Sequence, residues 1–360
     1  MEVLKTQAES FPMNGGDGVY SYVKNSSLQR SGVDSSKALI EKAIAEKLDV
    51  HNLPNSNSFR IVDLGCSVGP NTFIAVQNII EAVDLKYKSQ GLSSETPEFH
   101  VFFSDHTFND FNTLFASLPE RKYFAAGVPG SFYTRLFPQG SLHIVHSSFA
   151  LQWLSRVPKE VVDINSPAWN KGRIHYTNAP NEVAEAYSAQ YAMDTEAFLR
   201  ARAQEIVCGG LMVILVAGVP NGTPPSQATP GILFHLLGSC LMDMAKRGTV
   251  DEAKVDSFNL PVYTTSPQEV EALVEKNGCF SIEKMEAVVR QGSGGQGGAN
   301  RTSTHIRAGM EGIIKEHFGS EILDELFDRY SKKLADSQSL LESGKTLQLF
   351  ILLKRNTNVC

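Results

Sequence analysis

Asp63-Leu64-Gly65-Cys66-Ser67-Val68-Gly69-Pro70-Asn71 is the stretch from which the rest of the chain is read. Before the turn, Phe59-Arg60-Ile61-Val62-Asp63 is a short, mostly apolar run with the look of a buried strand. After it, 71–87 carries apolar residues at helical spacing. A strand, a glycine-bearing turn and a helix, in that order, place a ligand of nucleotide type at the carboxyl end of the strand. The glycine spacing is GxxxG. A pyrophosphate needs the close-approach glycine of GxGxxG in front of the helix N-terminus, and that glycine is missing. No Walker lysine follows Gly69. A ligand without phosphates, such as S-adenosylmethionine, suits the loop better, and a nicotinamide-dependent oxidoreductase is disfavoured. Asp105 ends the next strand, Glu98 to Ser104 (EFHVFFS). A carboxylate there can accept hydrogen bonds from two ribose hydroxyls. The plain alternative leaves the glycines a tight turn and Asp105 a helix cap. Loop and carboxylate together favour a cofactor site.

Outward from the loop, strand and helix patterns alternate. Runs 141–149, 211–219, 280–289 and 346–354 read as strands, 36–49 as a helix, and 180–207 as a long amphipathic helix closed by Gly209-Gly210. Alternation of this kind predicts an α/β fold, a Rossmann-like core with a mostly parallel sheet. The stretch 220–310 breaks it with a loop (PNGTPPSQATPG), helices, and the segment QGSGGQGGA at 291–299. Nothing in that glycine-rich segment favours one conformation. The expected organisation is an N-terminal lid segment (1–33), a core (34–219), a mainly helical cap (220–310), and C-terminal helices with a final core strand (311–360).

The balance of 42% hydrophobic and 20% charged residues is that of a globular protein. With a formal charge of -6 and no dense Lys/Arg block, a nucleic-acid partner has no electrostatic footprint. The longest apolar runs are too short to span a bilayer, so no membrane partner is expected. Residues 1–12 lack the apolar run of a signal peptide. The five cysteines are widely spaced without a CxxC, which favours free thiols in a reducing, cytoplasmic setting. Three Asn-X-Ser/Thr matches read as chance in that setting.

Further motifs resemble the plant SABATH methyltransferases: Met13-Asn14-Gly15-Gly16, SYVKNSSLQ at 21–29, the 63–71 loop, Asn109-Asp110-Phe111-Asn112, GVPGSFYTRLFP at 127–138, SSFALQWLSRV at 147–157, Asn170-Lys171-Gly172, and DSFNLPVY at 256–263. They occur in family order along nearly the whole chain. The resemblance implies a Rossmann-like methyltransferase core with a helical cap, forming a homodimer. Tyr22, Cys66, Asn71, Asp105, Ser131 and Phe132 are similar to residues that hold S-adenosylmethionine. His106 stands where salicylate-type members carry leucine. Gln29 and Trp153 match the pair that grips the substrate carboxylate, with Tyr22 nearby, and Gln152 a position that varies with selectivity. Phe149, Phe234, His305 and Ile306 fall in segments lining the acceptor pocket. Asn170, Asp256, Phe258 and Asn259 resemble a magnesium site of some members, whose oxygen ligands suit that ion; the plain alternative is hydrogen bonding between core and cap.

The implied reaction is methyl transfer from S-adenosylmethionine to a small-molecule carboxylic acid. A carboxylate is already ionised near neutrality, so no general base is needed. His100, His143 and His146 accordingly read as packed histidines rather than bases. Gln29 and Trp153 offer neutral donors that orient the anion. The alternatives are methylation of a ring nitrogen, as in purine-alkaloid members, and a non-catalytic relative that keeps the pocket. SPAWNKGRIHYT and RARAQEIVCGGLM look closer to the loganate and farnesoate branch, and an acid larger than benzoate is expected. Phe234 departs from the histidine expected of a loganate enzyme.

Overall fold

The computed structural model describes residues 11–53, 58–92, 97–289 and 298–356. The first half runs α1 (Tyr22–Asn25), α2 (Ser27–Lys47), β1 (Ser58–Leu64), α3 (Pro70–Ser89), β2 (Glu98–Asp105), α4 (Phe111–Ala116), β3 (Tyr123–Pro129) and β4 (Leu142–Ser148). The long α5 (Asn181–Glu205) leads into β5 (Ile206–Gly218), followed by α6 (Thr229–Lys246), α7 (Glu252–Asp256) and α8 (Pro267–Asn277). Then come β6 (Phe280–Val289), α9 (Gly298–Phe318), α10 (Leu323–Asp336), α11 (Gln338–Ser343) and β7 (Leu347–Arg355).

The strands form one sheet in the order β3-β2-β1-β4-β5-β7-β6, parallel except where β7 runs antiparallel to both neighbours. This is the Rossmann-like, mostly parallel sheet the sequence predicts. Strand side chains alternate between faces, and β5 shows it. Leu211, Val213 and Leu215 join Ile40, Ile44 and Val76 under α2 and α3. Met212, Ile214 and Val216 join Phe198, Val270 and Val274 under α5 and α8. Burial on both faces is why β5 reads as an unbroken apolar run rather than an alternating one.

A second core lies above the strand ends. Leu237 and Leu241 of α6 pack with Val255, Leu260, Ile314 of α9, and Leu326 and Tyr330 of α10. The cap core therefore draws on helices from both sides of β6. Segment α8 packs instead on the sheet through Val270 and Val274. Its ends are well specified: Ser266 and Glu269 form a capping box, Pro267 opens the helix and Gly278 closes it at φ +70.

Two details differ from the sequence reading. Strand β3 was not anticipated; it is a sheet edge with an irregular burial pattern, so it lacks the buried apolar run that marks the others. The long helix ends at Glu205, and Gly209-Gly210 lie inside β5 rather than stopping the helix. They sit where the β4–β5 register shifts, with Gly209 at φ +76, so they serve a strand irregularity. Among the described residues, Cys66, Cys240 and Cys279 are free thiols. Among the described residues, no helix is long and apolar enough to cross a membrane.

Candidate functional site

The 63–71 loop leaves β1 through three residues with positive φ: Gly65 (+79), Ser67 (+51) and Gly69 (+102). A Cβ on Gly65 would fall 2.3 Å from Ala150 Cβ. One on Gly69 would press on Val23 of α1 at 3.1 Å. The first glycine lets the loop turn against the segment after β4; the second lets the N-terminal segment close over it. Asp63 itself is buried and committed: it accepts from the Thr72 hydroxyl and lies 2.7 Å from His146 Nδ1. It ties β1, α3 and β4 together beneath the loop. His146 is thus a packed histidine with a structural partner. His143 is likewise packed, its Nδ1 accepting the Arg60 N–H at 2.9 Å.

Asp105 stands at the end of β2, as expected. Its Oδ2 accepts Ser67 N–H and its Oδ1 accepts His106 N–H, both at 2.7 Å. Burial raises its pKa, opposed by the His106 ring and by those N–H groups; Asp63 adds a smaller upward push. The Tyr22 hydroxyl is raised first by burial and then by the charges of Asp105 and Asp63. Cys66 is buried in the same loop, its Sγ 3.6 Å from Ser67 O. Asn71 donates to the carbonyl and hydroxyl oxygens of Ser26, at 3.2 and 3.0 Å. The segment 14–22 is held down by Gly16 N–H to Asp110 Oδ2 (2.9 Å), Asn14 N–H to Ala308 O (3.0 Å) and Tyr22 N–H to Asn14 O (2.8 Å). Asp110 and Asn109, the latter donating to Ser67 O at 3.1 Å, give the NDFN motif its role as an anchor for lid and loop.

Ser131 and Phe132 sit on the loop between β3 and β4. Phe132 is buried against Tyr133 and Phe198, with the His106 ring at 6.4 Å. This loop has little regular structure, so its backbone groups need partners from elsewhere. Arg202 and Glu205, both fully buried and 2.7 Å apart, supply them. Arg202 donates to Phe132 O (2.7 Å) and Thr134 O (2.9 Å), while Glu205 Oε1 accepts Leu136 and Phe137 N–H. Sequence reasoning passed over this pair. Two opposite charges near the end of an otherwise packed helix were the available signal.

Beside the loop, under the cap, lies a cavity of ≈ 620 Å³. Tyr22, Gln29, Phe149, Gln152, Trp153, Phe234, His305 and Ile306 all line it, so the structure brings every expected acceptor-side residue to one wall system. Met13, of the Met13–Gly16 motif, also lines it, as do Leu233, Met310 and Leu334, which were not singled out from sequence. No lysine or arginine is among its described lining residues. Phe149 sits at φ +53, an uncommon conformation for a bulky residue. Its ring fills the space over Gly32 of α2, where a Cβ would fall 2.5 Å from it. Gln152 Nε2 donates to Phe149 O at 2.7 Å, and its Oε1 is buried without a partner.

Of the four residues of the proposed metal set, only Asn170 and Asn259 are joined directly. Asn170 Nδ2 donates to Asn259 Oδ1 (2.6 Å) and His175 O (3.1 Å), and Asp256 Oδ1 accepts Gly172 N–H (2.7 Å). Phe258 is buried against His317 and Phe318. Among the described residues, no group of three His, Cys, Asp or Glu is placed to hold a metal ion.

Sheet order, glycine loop and the acid ending β2 define a Rossmann-like, S-adenosylmethionine-dependent methyltransferase. The profile described as "SAM dependent carboxyl methyltransferase" matches residues 8–356. The chain is 50% identical to loganic acid O-methyltransferase of Catharanthus roseus, over 99% of this chain and 98% of that one. It is 39% identical to farnesoic acid carboxyl-O-methyltransferase of Arabidopsis thaliana, over 96% and 99%. A solved loganic acid methyltransferase with SAH superposes with a TM-score of 0.92 at 49% identity, covering 97% and 99%. The chain belongs to the SABATH family of S-adenosylmethionine-dependent carboxyl methyltransferases. It is an enzyme that forms the methyl ester of a small-molecule carboxylic acid.

Proposed function

We propose that the acid lies in the ≈ 620 Å³ cavity with its carboxylate between Gln29 and Trp153, and that it is larger than benzoate. The observation that carries this reading is the wall chemistry. The cavity has neutral N–H donors but no lysine or arginine among its described residues, and its size is in the ~300–1,000 Å³ range of pockets for drug-sized ligands. Two neutral donors orient an anion without an ion pair that would have to be broken when its charge is lost on methylation. Bound S-adenosylmethionine supplies an activated methyl and a neutral leaving group. Asp105 would hold the ribose hydroxyls, Tyr22, Asn71, Ser131 and Phe132 would wall the cofactor, and Cys66 and His106 would pack beside it. Holding the carboxylate in line with the methyl group then supplies the catalysis, because proximity and orientation lower the barrier by several kcal/mol. No residue needs to remove a proton.

A panel of salicylate, jasmonate, loganic acid and farnesoic acid, scored for methyl ester by mass spectrometry, tests the size reading. Efficient turnover of salicylate alone would refute it. Trp153→Phe keeps most of the aromatic wall and removes the N–H. It should cost roughly 1–2 kcal/mol in kcat/KM. Methyl found on nitrogen in the natural product would refute the carboxyl reading itself.

The magnesium implied for Asn170, Asp256, Phe258 and Asn259 has partial support. Asn170 Oδ1 is buried without a partner, and the carboxylate of Asp256 accepts its hydrogen bond through Oδ1. Further oxygens would come from main-chain carbonyls or water. The ion would join cap to core and take no part in methyl transfer. A Tm that rises with Mg2+ and falls with chelator supports it; no shift in either leaves the hydrogen bonds as the whole lock. Homodimerisation and a cytoplasmic location rest on the family resemblance and on the sequence reading; light scattering and cell fractionation test them.

A further inference from the structure

We propose that His305 is a positioning residue: its Nε2 lone pair holds the Gln29 amide so that Gln29 presents an N–H to the acceptor carboxylate. The inference rests on the reading that Gln29 grips the acid. It starts from the other ring nitrogen. His305 Nδ1 lies 3.0 Å from the carbonyl oxygen of Asn25. A carbonyl oxygen only accepts, so Nδ1 carries the hydrogen, and in the neutral ring Nε2 is bare. That bare nitrogen faces Gln29 Nε2 at 3.5 Å, long for a hydrogen bond and open to tightening when the acid fills the site.

The amide orientation follows. Gln29 Oε1 is buried and has no donor. Turning the amide over would set Oε1 against the bare Nε2, two acceptors face to face. With His305 as it stands, one N–H of Gln29 goes to the ring and the second is left for the cavity that both residues line. The arrangement also joins three elements at one point: Asn25 ends α1, Gln29 lies on α2 and His305 on α9. Seating of the cap is thereby linked to the aim of the carboxylate donor.

His305→Asn separates this role from a simple anchor. The asparagine amide can still donate to the Asn25 carbonyl, but nothing replaces Nε2. The expected result is unchanged Tm, S-adenosylhomocysteine affinity within about twofold, and kcat/KM for the acid lowered about five- to tenfold. His305→Gln, which reaches the ε position with an acceptor, should recover part of the loss. In a Gln29→Ala background, His305→Asn should cost nothing further. The same loss in both backgrounds, or a loss confined to S-adenosylhomocysteine affinity, would overturn the proposal and leave His305 a lid anchor. Full activity of Gln29→Ala alone would instead overturn the reading of Gln29, and this proposal with it. If His305→Asn does not fold, His305→Gln decides by the same cycle: a penalty that is not reduced in the Gln29→Ala background counts against coupling.

Discussion

Asp105 is where one side chain has most to decide. In the structure its two oxygens are held by Ser67 and His106 N–H groups, which fix the carboxylate's direction before any ligand arrives. Removing it takes away charge-assisted bonds worth roughly 1.5–3 kcal/mol. Asp105→Ala should weaken S-adenosylhomocysteine about ten- to a hundredfold, read by calorimetry on a variant shown to be folded. Unchanged affinity would remove Asp105 from the cofactor site. Its position was legible in sequence because a strand end is marked by an apolar run and the acid stops that run. The lining by Leu233, Met310 and Leu334 was not legible. Apolar residues on a helix look alike in sequence whether they face a core or a cavity.

Among the elements, the loop carrying Ser131 and Phe132 depends on a buried pair from another element. Arg202 and Glu205 meet its carbonyls and N–H groups where water cannot. Arg202→Leu would leave Glu205 buried and unpaired, at a cost on the order of 3–5 kcal/mol. Urea unfolding should show that loss, and S-adenosylhomocysteine binding should weaken in whatever fraction folds. A loss under about 1 kcal/mol would mean the loop holds itself. Element types were readable wherever burial was uniform. Strand β3 escaped because a partly solvated edge carries a weak pattern, and the Gly209-Gly210 irregularity was misplaced because two glycines end a helix or bend a strand equally well. The glycine-rich run at 291–297 lies outside the described residues.

For the whole molecule, two buried histidines set the acid side of the stability curve. His175 is lowered to about 3 by burial, opposed by its bond to Val262 O. His143 is lowered to about 4, by burial first and Arg60 second. Both titrate near 6.5 once unfolded. Between these values the unfolded chain binds the protons, so their contribution is complete above about pH 6.5 and is lost as pH falls toward 4. Each costs up to about 1.4 kcal/mol per pH unit in that window. Asp105 and Asp194, raised chiefly by burial, act in the opposite sense. Tm should therefore drop steadily between pH 6.5 and 4.5. A flat Tm across that range would count against neutral, buried histidines.

The sequence by itself determined the α/β alternation, every strand of the sheet but β3, and a cofactor-type loop, while the chemistry came with the family resemblance. Apolar periodicity, the GxxxG turn and the acid after the second strand are local patterns, and each is imposed by the backbone geometry it must satisfy. Tertiary structure alone decided which helices join in the cap, which walls close the acceptor cavity, and that His305 meets Gln29 across 276 positions. Those contacts depend on the angles at which helices distant in sequence pack, and packing angles leave no mark in any single stretch of residues.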